Sequence, residues 1–466
     1  MNKQRLAALG LVTALTTAAV TPANAQSSSS SPLDSLSSSS SRGSLSNGSS
    51  SGSSLIDFIK SLGSSPITNF FVKISEGLTT KTIGDILGPG ISDHVGFMSG
   101  DLGIMVPVGE NEEFAIIFGD SFRGARFGQG DWLSPVGVIA AYDAHGKITI
   151  KRPLNSGDRV EQLLDYAHNE RNLTFLPSDV INMDGTLYMQ GMWNEGVGNV
   201  LYTQIWKSTD SGKTWQSVAT TDKHHMNGFG DLITWERGTD GYIYVMSSRF
   251  QRADSVYLSR FRPEQIGDRD SWEHYINGTW KVPTSASELT PIISTNVRAG
   301  EMSLRRIDNH WVLAMFNART ASIDVRISKD IDTNWNEIKP AHVVVASAGG
   351  WASSQSPSNF TQLYGGYIAP GSRIDNLNIV VSQWNTSNNS RYMSTQFNVR
   401  GLDTFFGISA AGGEVVRHND GDESVLEVET QPLSPDVAEQ LTEEKAMEAA
   451  TDIQVIPLDD HAPVKP

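Results

Sequence analysis

Two aspartates stand out for what their surroundings would do to them. Asp101 sits in G-D-L-G-I-M-V-P and Asp120 in F-A-I-I-F-G-D-S-F, each beside a glycine and each at the edge of an apolar run. Phe114 to Phe118 is too short for a helix and suits a strand buried on both faces. Asp120 then falls at the end of that strand, where an ionised carboxyl loses stability unless it is hydrogen-bonded or used. The plain alternative is that Gly119-Asp120-Ser121 is a turn closing the strand. Two carboxylates suit cleavage of a glycosidic bond, because one must be protonated to assist the leaving oxygen while the other is ionised to activate water or attack carbon. Nearness raises one of the two pKa values and so creates that division of labour. On this reading Asp120 is the general acid and Asp101 the base.

The elements that must position this pair are strands. From about Ile91 to Arg400 the chain is a series of short β-type runs separated by turn signals, with Asp184-Gly185 and Asp240-Gly241 reading as hairpin turns. No alternation with long amphipathic helices is visible, which excludes a βαβ enzyme fold. Ser208 to Trp215 fills every specified position of S-x-D-x-G-x-T-W, the Asp box, and Ser328 to Trp335 repeats its Ser, Asp and Trp 120 residues later. In β-propellers this box is a turn between outer strands, so its polar residues are structural. Boxes two blades apart imply about 60 residues per blade and about five blades. The expected architecture is an all-β, five-bladed β-propeller, with blades over Gly100–Lys151, Asn172–Thr220, Gly230–Val282, Glu301–Val345 and Leu363–Val399. A β-sandwich is the weaker choice for a domain of this length.

The flanks are of other kinds. Met1 to Ala25 has a secretory pattern, with Lys3 and Arg5, an apolar run from Leu6 to Val20 and Ala23-Asn24-Ala25 as cleavage site, so export to the cell envelope or beyond is expected. No later run reaches the about 18 apolar residues of a membrane span. Residues 26–54 are a serine-rich linker, with 18 serines between Ser27 and Ser54. Residues 55–90 are expected to be a helical extension, with Leu55 to Leu62 on helical spacing and Ile67 to Leu87 as a second helix. The propeller is placed at 91–405 and an acidic tail at 406–466, with a solvated helix over Asp436–Ala450.

Net charge is −16, but from Ala411 onward 14 acids face only Arg417, Lys445 and Lys465, which leaves about −5 for everything before. No basic stripe appears, and this argues against a nucleic-acid partner. The chain has no cysteine, so disulfides and thiolate chemistry are excluded. His94, His224 and His225 form no metal-ligand pattern, and neither metal nor cofactor is called for.

The ordered motifs also carry a resemblance. D-L-G at Asp101, F-G-D-S-F at Phe118–Phe122, D-W at Asp131, L-P-S-D at Leu176–Asp179 and D-G-T-L-Y at Asp184–Tyr188 resemble the domain of unknown function 4185 family. So do D-G-Y-I-Y at Asp240, V-Y-L-S-R at Val256, G-E-M-S at Gly300, Y-G-G-Y at Tyr364 and V-S-Q-W-N at Val381. The resemblance implies a five-bladed endo-D-arabinanase acting on the D-arabinan of arabinogalactan or lipoarabinomannan, with its two N-terminal acids on Asp101 and Asp120. Val180, where the family usually shows glycine, and a long Gly371–Asn378 loop are departures that bear on groove shape.

Further candidates for binding substrate each have a structural alternative. Asp179 lines the channel or makes an Asx turn, and Glu301 binds sugar hydroxyls or an edge-strand cation. Arg252 holds hydroxyls or is a solvated loop residue. Trp193, Tyr367 and Trp384 stack on sugars or fill core. Two other functions compete: a non-catalytic propeller binding envelope glycan or a protein partner, and a sialidase-like hydrolase, which requires an arginine triad.

Overall fold

The computed structural model describes residues 71–109, 112–166, 173–196 and 198–408. The secretory pattern, the serine-rich segment, the Leu55–Leu62 helix and the acidic segment after residue 408 lie outside the described residues. Within them the chain first forms β1 (Thr79–Asp85) and then builds four sheets in sequence order. Blade 1 holds β2 (Ser99–Pro107), β3 (Phe114–Phe122), the short β4 (Trp132–Leu133), β5 (Val136–Tyr142) and β6 (Ile148–Pro153). Blade 2 holds β7 (Leu173–Met183), β8 (Thr186–Glu195), β9 (Val200–Ser208) and β10 (Gln216–Asp222). Blade 3 holds β11 (Leu232–Arg237), β12 (Ile243–Ser248), β13 (Tyr257–Phe261), β14 (Glu273–Ile276) and β15 (Thr279–Lys281). Blade 4 holds β16 (Ala299–Ile307), β17 (His310–Asn317), β18 (Ser322–Ser328) and β19 (Ala341–Val345).

Blade 5 closes the ring. Its strands β20 (Leu363–Ile368), β21 (Asn376–Trp384) and β22 (Tyr392–Arg400) are joined at the outer edge by β1, which pairs antiparallel with β22 from Thr79 opposite Arg400 to Asp85 opposite Thr395. The result is an all-β, five-bladed propeller whose first strands, β2, β7, β11, β16 and β20, neighbour one another around the axis. Apart from β1, the strands of each sheet fall within two residues of one of the five segments marked off in the sequence. A short helix, α1 (Leu402–Phe406), follows the last blade.

The helix expected over Ile67–Leu87 is corrected where residues are described. Thr79, Thr80, Thr82 and Ile83 are β-branched, a composition that fits a pleated edge better than a helix. The partner that makes the segment a strand lies more than 300 residues away, so local spacing misread it. Asp184 and Gly185 both take positive φ (54° and 90°), as a two-residue hairpin turn requires.

The Asp boxes behave as turns. In blade 2 the Asp210 carboxylate accepts from the Thr214 amide (3.0 Å) and hydroxyl (2.6 Å), and the Trp215 indole donates to the Gly212 carbonyl (2.9 Å). In blade 4 Trp335 is fully buried and donates to the Ile331 carbonyl at 2.8 Å.

A bidentate pair fastens the closing strand. Arg391 donates to both Asp85 oxygens at 3.0 and 2.8 Å, and the Thr395 hydroxyl adds a bond of 2.6 Å. Asp85→Ala leaves that largely buried guanidinium unpaired, and the expected loss is about 3 kcal/mol, read as a lower midpoint of thermal unfolding. An unchanged midpoint would mean that the β1–β22 contact does not limit stability.

Candidate active site

The two aspartates are brought together by consecutive irregularities in one pair of strands. Gly100 pairs with Ser121, Leu102 with Phe118 and Ile104 with Ile117. Between the first two pairs, Gly119 and Asp120 stand against Asp101 alone. Between the next two, Gly103 has no counterpart on β3. Such bulges re-aim side chains at the cost of ladder bonds, and here they turn both carboxyls toward one cavity. The D-L-G motif thereby acquires a reason, since Leu102 (φ 66°) and Gly103 (φ 117°) both occupy left-handed backbone. For leucine that conformation is strained and must be held from outside. Blade 5 holds it: the Ser382 hydroxyl accepts from the Leu102 amide at 2.8 Å, and the Ser394 hydroxyl donates to its carbonyl at 3.0 Å.

The carboxyls have unequal surroundings. Asp101 is 8% exposed, and its Oδ2 accepts from the Tyr364 hydroxyl at 2.9 Å. Its Oδ1 is buried without a hydrogen-bond partner and rests against Gly119, where an added Cβ would meet it at 2.7 Å. Burial, the neighbouring charge of Asp120 and a smaller effect of Glu301 push Asp101 up to about 8, against the bonds from Tyr392 and Tyr364. Burial also raises Asp120, but only to about 6, because Thr174, Trp132 and Ser134 favour its ionised form. The Trp132 indole and the Thr174 hydroxyl both donate to Asp120 Oδ1 at 2.8 Å, and Asp120 lines the cavity beside Asp101. Burial and the Asp120 charge favour a proton on Asp101, whereas the donors around Asp120 favour its ionised form, an order opposite to the one expected from sequence.

The first residues of each inner strand supply the cavity walls. Asp101, Thr174, Leu232, Glu301 and Tyr364 come from β2, β7, β11, β16 and β20 in turn. Arg252 and Glu301 both line it and form a buried ion pair at 2.5 Å, so Arg252 is not a solvated loop residue. The guanidinium also lies 4.8 Å over the Tyr364 ring. Trp384 lines the cavity as well, stacked on Phe127 with ring centres 4.5 Å apart.

Three sequence candidates are placed elsewhere. Asp179 is fully buried and bonded to Arg305, Thr234 and the amides of Val180 and Trp235, which makes it a tie between blades 2, 3 and 4. Trp193 packs edge-on against Tyr166 and Phe175 and donates to Gln204 at 2.7 Å. Tyr367 is 1% exposed, three residues further along β20 than Tyr364, and does not line the cavity. Sequence reasoning passed over Tyr364, Tyr392, Trp132 and Thr174. Tyr364 stood within Y-G-G-Y and Trp132 beside Asp131 in D-W, but nothing in the sequence said which aromatic reached the axis. A sialidase-type arginine triad is not assembled, because Arg252 is the arginine that lines this cavity among the described residues.

The fold and its axial acids define a five-bladed propeller with a paired-carboxylate cavity. The chain belongs to the family described as domain of unknown function (DUF4185), which matches residues 88–398. It is 27% identical over 285 residues to an uncharacterised 35.9 kDa protein of Mycolicibacterium smegmatis, covering 58% of this chain and 83% of that protein. A solved structure from Bacteroides ovatus is similar with a TM-score of 0.50 at 14% identity, over 69% of this chain and 90% of the other. The GH43 protein BlXynB from Bacillus licheniformis gives a TM-score of 0.43 at 13% identity, over 73% of this chain and 61% of the other. At such identities the likeness concerns the fold alone.

Two outcomes follow from the geometry. Gly119→Ala puts a methyl group onto Asp101 Oδ1 and the Leu102 side chain, and a lower midpoint of thermal unfolding is expected; an unchanged midpoint would mean that the bulge absorbs the methyl group at no cost. Burial and the Asp120 charge push Asp101 up to about 8 in the fold, above the about 3.9 of an unfolded chain. The fold therefore binds a proton that the unfolded chain releases, and this contribution to stability is lost as pH rises from about 4 to about 8. Asp101→Asn removes the loss, so its melting midpoint should exceed that of the parent by a margin that widens over that pH interval. A constant margin would contradict the raised pKa.

Proposed function

We propose that this chain is an exported glycoside hydrolase, an endo-D-arabinanase that cuts D-arabinofuranosyl linkages in cell-wall arabinogalactan or lipoarabinomannan. The observation that carries the hydrolase reading is the pair of carboxyls with unequal proton affinity in one cavity. The substrate is drawn from the family resemblance of the ordered motifs, and export from the Met1–Ala25 pattern.

In the proposed reaction Asp101 gives its proton to the glycosidic oxygen as the bond to the anomeric carbon breaks. Asp120, anchored through Oδ1, takes a proton through Oδ2 from a water that attacks the same carbon from the opposite face. Inversion at that carbon follows. The next turnover requires the proton to pass from Asp120 back to Asp101 through solvent. Glu301 and Arg252 offer acceptor and donor groups to sugar hydroxyls, and Trp384 with Phe127 offers an apolar wall for a ring face.

The experiment is incubation of the protein with arabinogalactan, lipoarabinomannan and a plant L-arabinan, reading product lengths by chromatography. Oligomers from the first two polymers alone are expected, with Asp101→Asn and Asp120→Asn each lowering the rate by a factor of 10³ or more. Saturable binding without new reducing ends would replace the hydrolase with a glycan-binding propeller. The profile of kcat/KM should be bell-shaped, falling below about pH 6 as the base protonates and above about pH 8 as the acid ionises. A flat profile from pH 5 to 9 would remove the dyad from the mechanism.

A further inference from the structure

We propose that blade 4 carries a second binding cavity, for the carboxylate or phosphate group of an anionic ligand. The cavity has a volume of about 440 Å³, within the about 300–1,000 Å³ of small-molecule sites. It shares no lining residue with the acidic cavity at the axis.

Its charge runs against the rest of the molecule. The chain carries a net −16, yet Arg319, Arg326 and Lys339 line this cavity against the single carboxylate of Glu337, with His342 on the same wall. Arg319 and Lys339 are at the surface, whereas Arg326 is 4% exposed. Its Nη1 donates to the carbonyl oxygens of Trp335 and Ile338, and its Nε is buried with no partner. No carboxylate among the described residues forms an ion pair with it. Asp324 lies in its field, but that carboxylate is already engaged by Asn317 (2.9 Å), Ser322 (2.7 Å) and His342 (2.7 Å).

A buried guanidinium without a salt-bridge partner is costly. An anion seated in the cavity would supply the missing charge, and guanidinium groups match carboxylate and phosphate oxygens in geometry as well as in sign. The wall is formed in advance: Asn336 Oδ1 accepts from the amides of Ser294 (2.9 Å) and Thr295 (3.0 Å), which ties the approach to blade 4 onto the turn that carries Glu337 to Lys339.

The test is calorimetric titration of the full chain at low ionic strength with sodium phosphate, sodium glucuronate and, as neutral control, glucose. Saturable binding of phosphate or glucuronate and none of glucose is expected, and the anion that binds tells phosphate from sugar acid. The double variant Arg319→Ala, Lys339→Ala changes two exposed side chains and should weaken that binding tenfold or more, while Asp101→Asn leaves it unchanged. The acidic segment from Ala411 onward carries the same chemistry, and a zero-length carbodiimide cross-link between Lys339 and one of its carboxylates would identify the chain itself as the source of the anion. Absence of both the cross-link and any saturable anion binding overturns the proposal. So does equal affinity in the double variant, or loss of binding in Asp101→Asn.

Discussion

Everything in this molecule that bears on chemistry depends on holding two acidic side chains of adjacent strands in one poorly hydrated hollow. Carboxylates so placed repel one another and lose solvation, so the pair is stable only if it retains a proton or is heavily hydrogen-bonded. Here the two solutions are divided between the members. Asp120 is held by indole and hydroxyl donors, and burial with the Asp120 charge favours a proton on Asp101. The backbone carries part of the cost, as left-handed φ at Leu102 and as ladder bonds given up at two bulges. Closing five sheets into a ring provides the counterweight, since the serines that restrain Leu102 come from blade 5 and reach it only when the ring is complete. Strand β1, at the outer edge of that blade, is therefore linked to the chemistry through the architecture.

Much of this was legible in the sequence, and the boundary of legibility has physical causes. Blade number and blade limits followed from two Asp boxes, because those turns are local and the same chemistry recurs at each. Asp101 and Asp120 were legible because acids flanking a fully apolar strand have few structural explanations. Arg252, Glu301 and Trp384 also reach the cavity. Trp193, next to the lining residue Met192, turns onto Tyr166 and Phe175 instead, and the other two that miss the cavity do so through depth along a strand. Asp179 lies two positions beyond Pro177, which lines the cavity, and Tyr367 three beyond Tyr364, with a bulge at Gly365-Gly366 between them. No periodicity argument says how far along an inner strand the wall ends. The strand nature of Thr79–Asp85 was hidden for a different reason, its pairing partner being the last strand of the fold.

Which carboxyl holds a proton more tightly was likewise invisible from composition. It depends on donors brought from elsewhere, with Thr174 from blade 2 and Tyr364 and Tyr392 from blade 5, and on which carboxyl faces the other's charge in the drier position. The same logic in opposite sign describes blade 4, where no carboxylate among the described residues forms an ion pair with the buried guanidinium of Arg326. In both places the protein keeps an ionisable group that the fold alone does not satisfy, and both groups line a cavity.

The central claim is that burial and the charge of the neighbouring carboxyl together favour a proton on one member of the pair at neutral pH. Titration of the protein labelled with ¹³C at aspartate side-chain carbons, followed by nuclear magnetic resonance in the parent and in Asp120→Asn, reads this directly. The account predicts a carboxyl that titrates near 8 in the parent and moves to lower pH once the neighbouring charge is removed. Two carboxyls titrating independently near about 4, the ordinary range for aspartate, would contradict it.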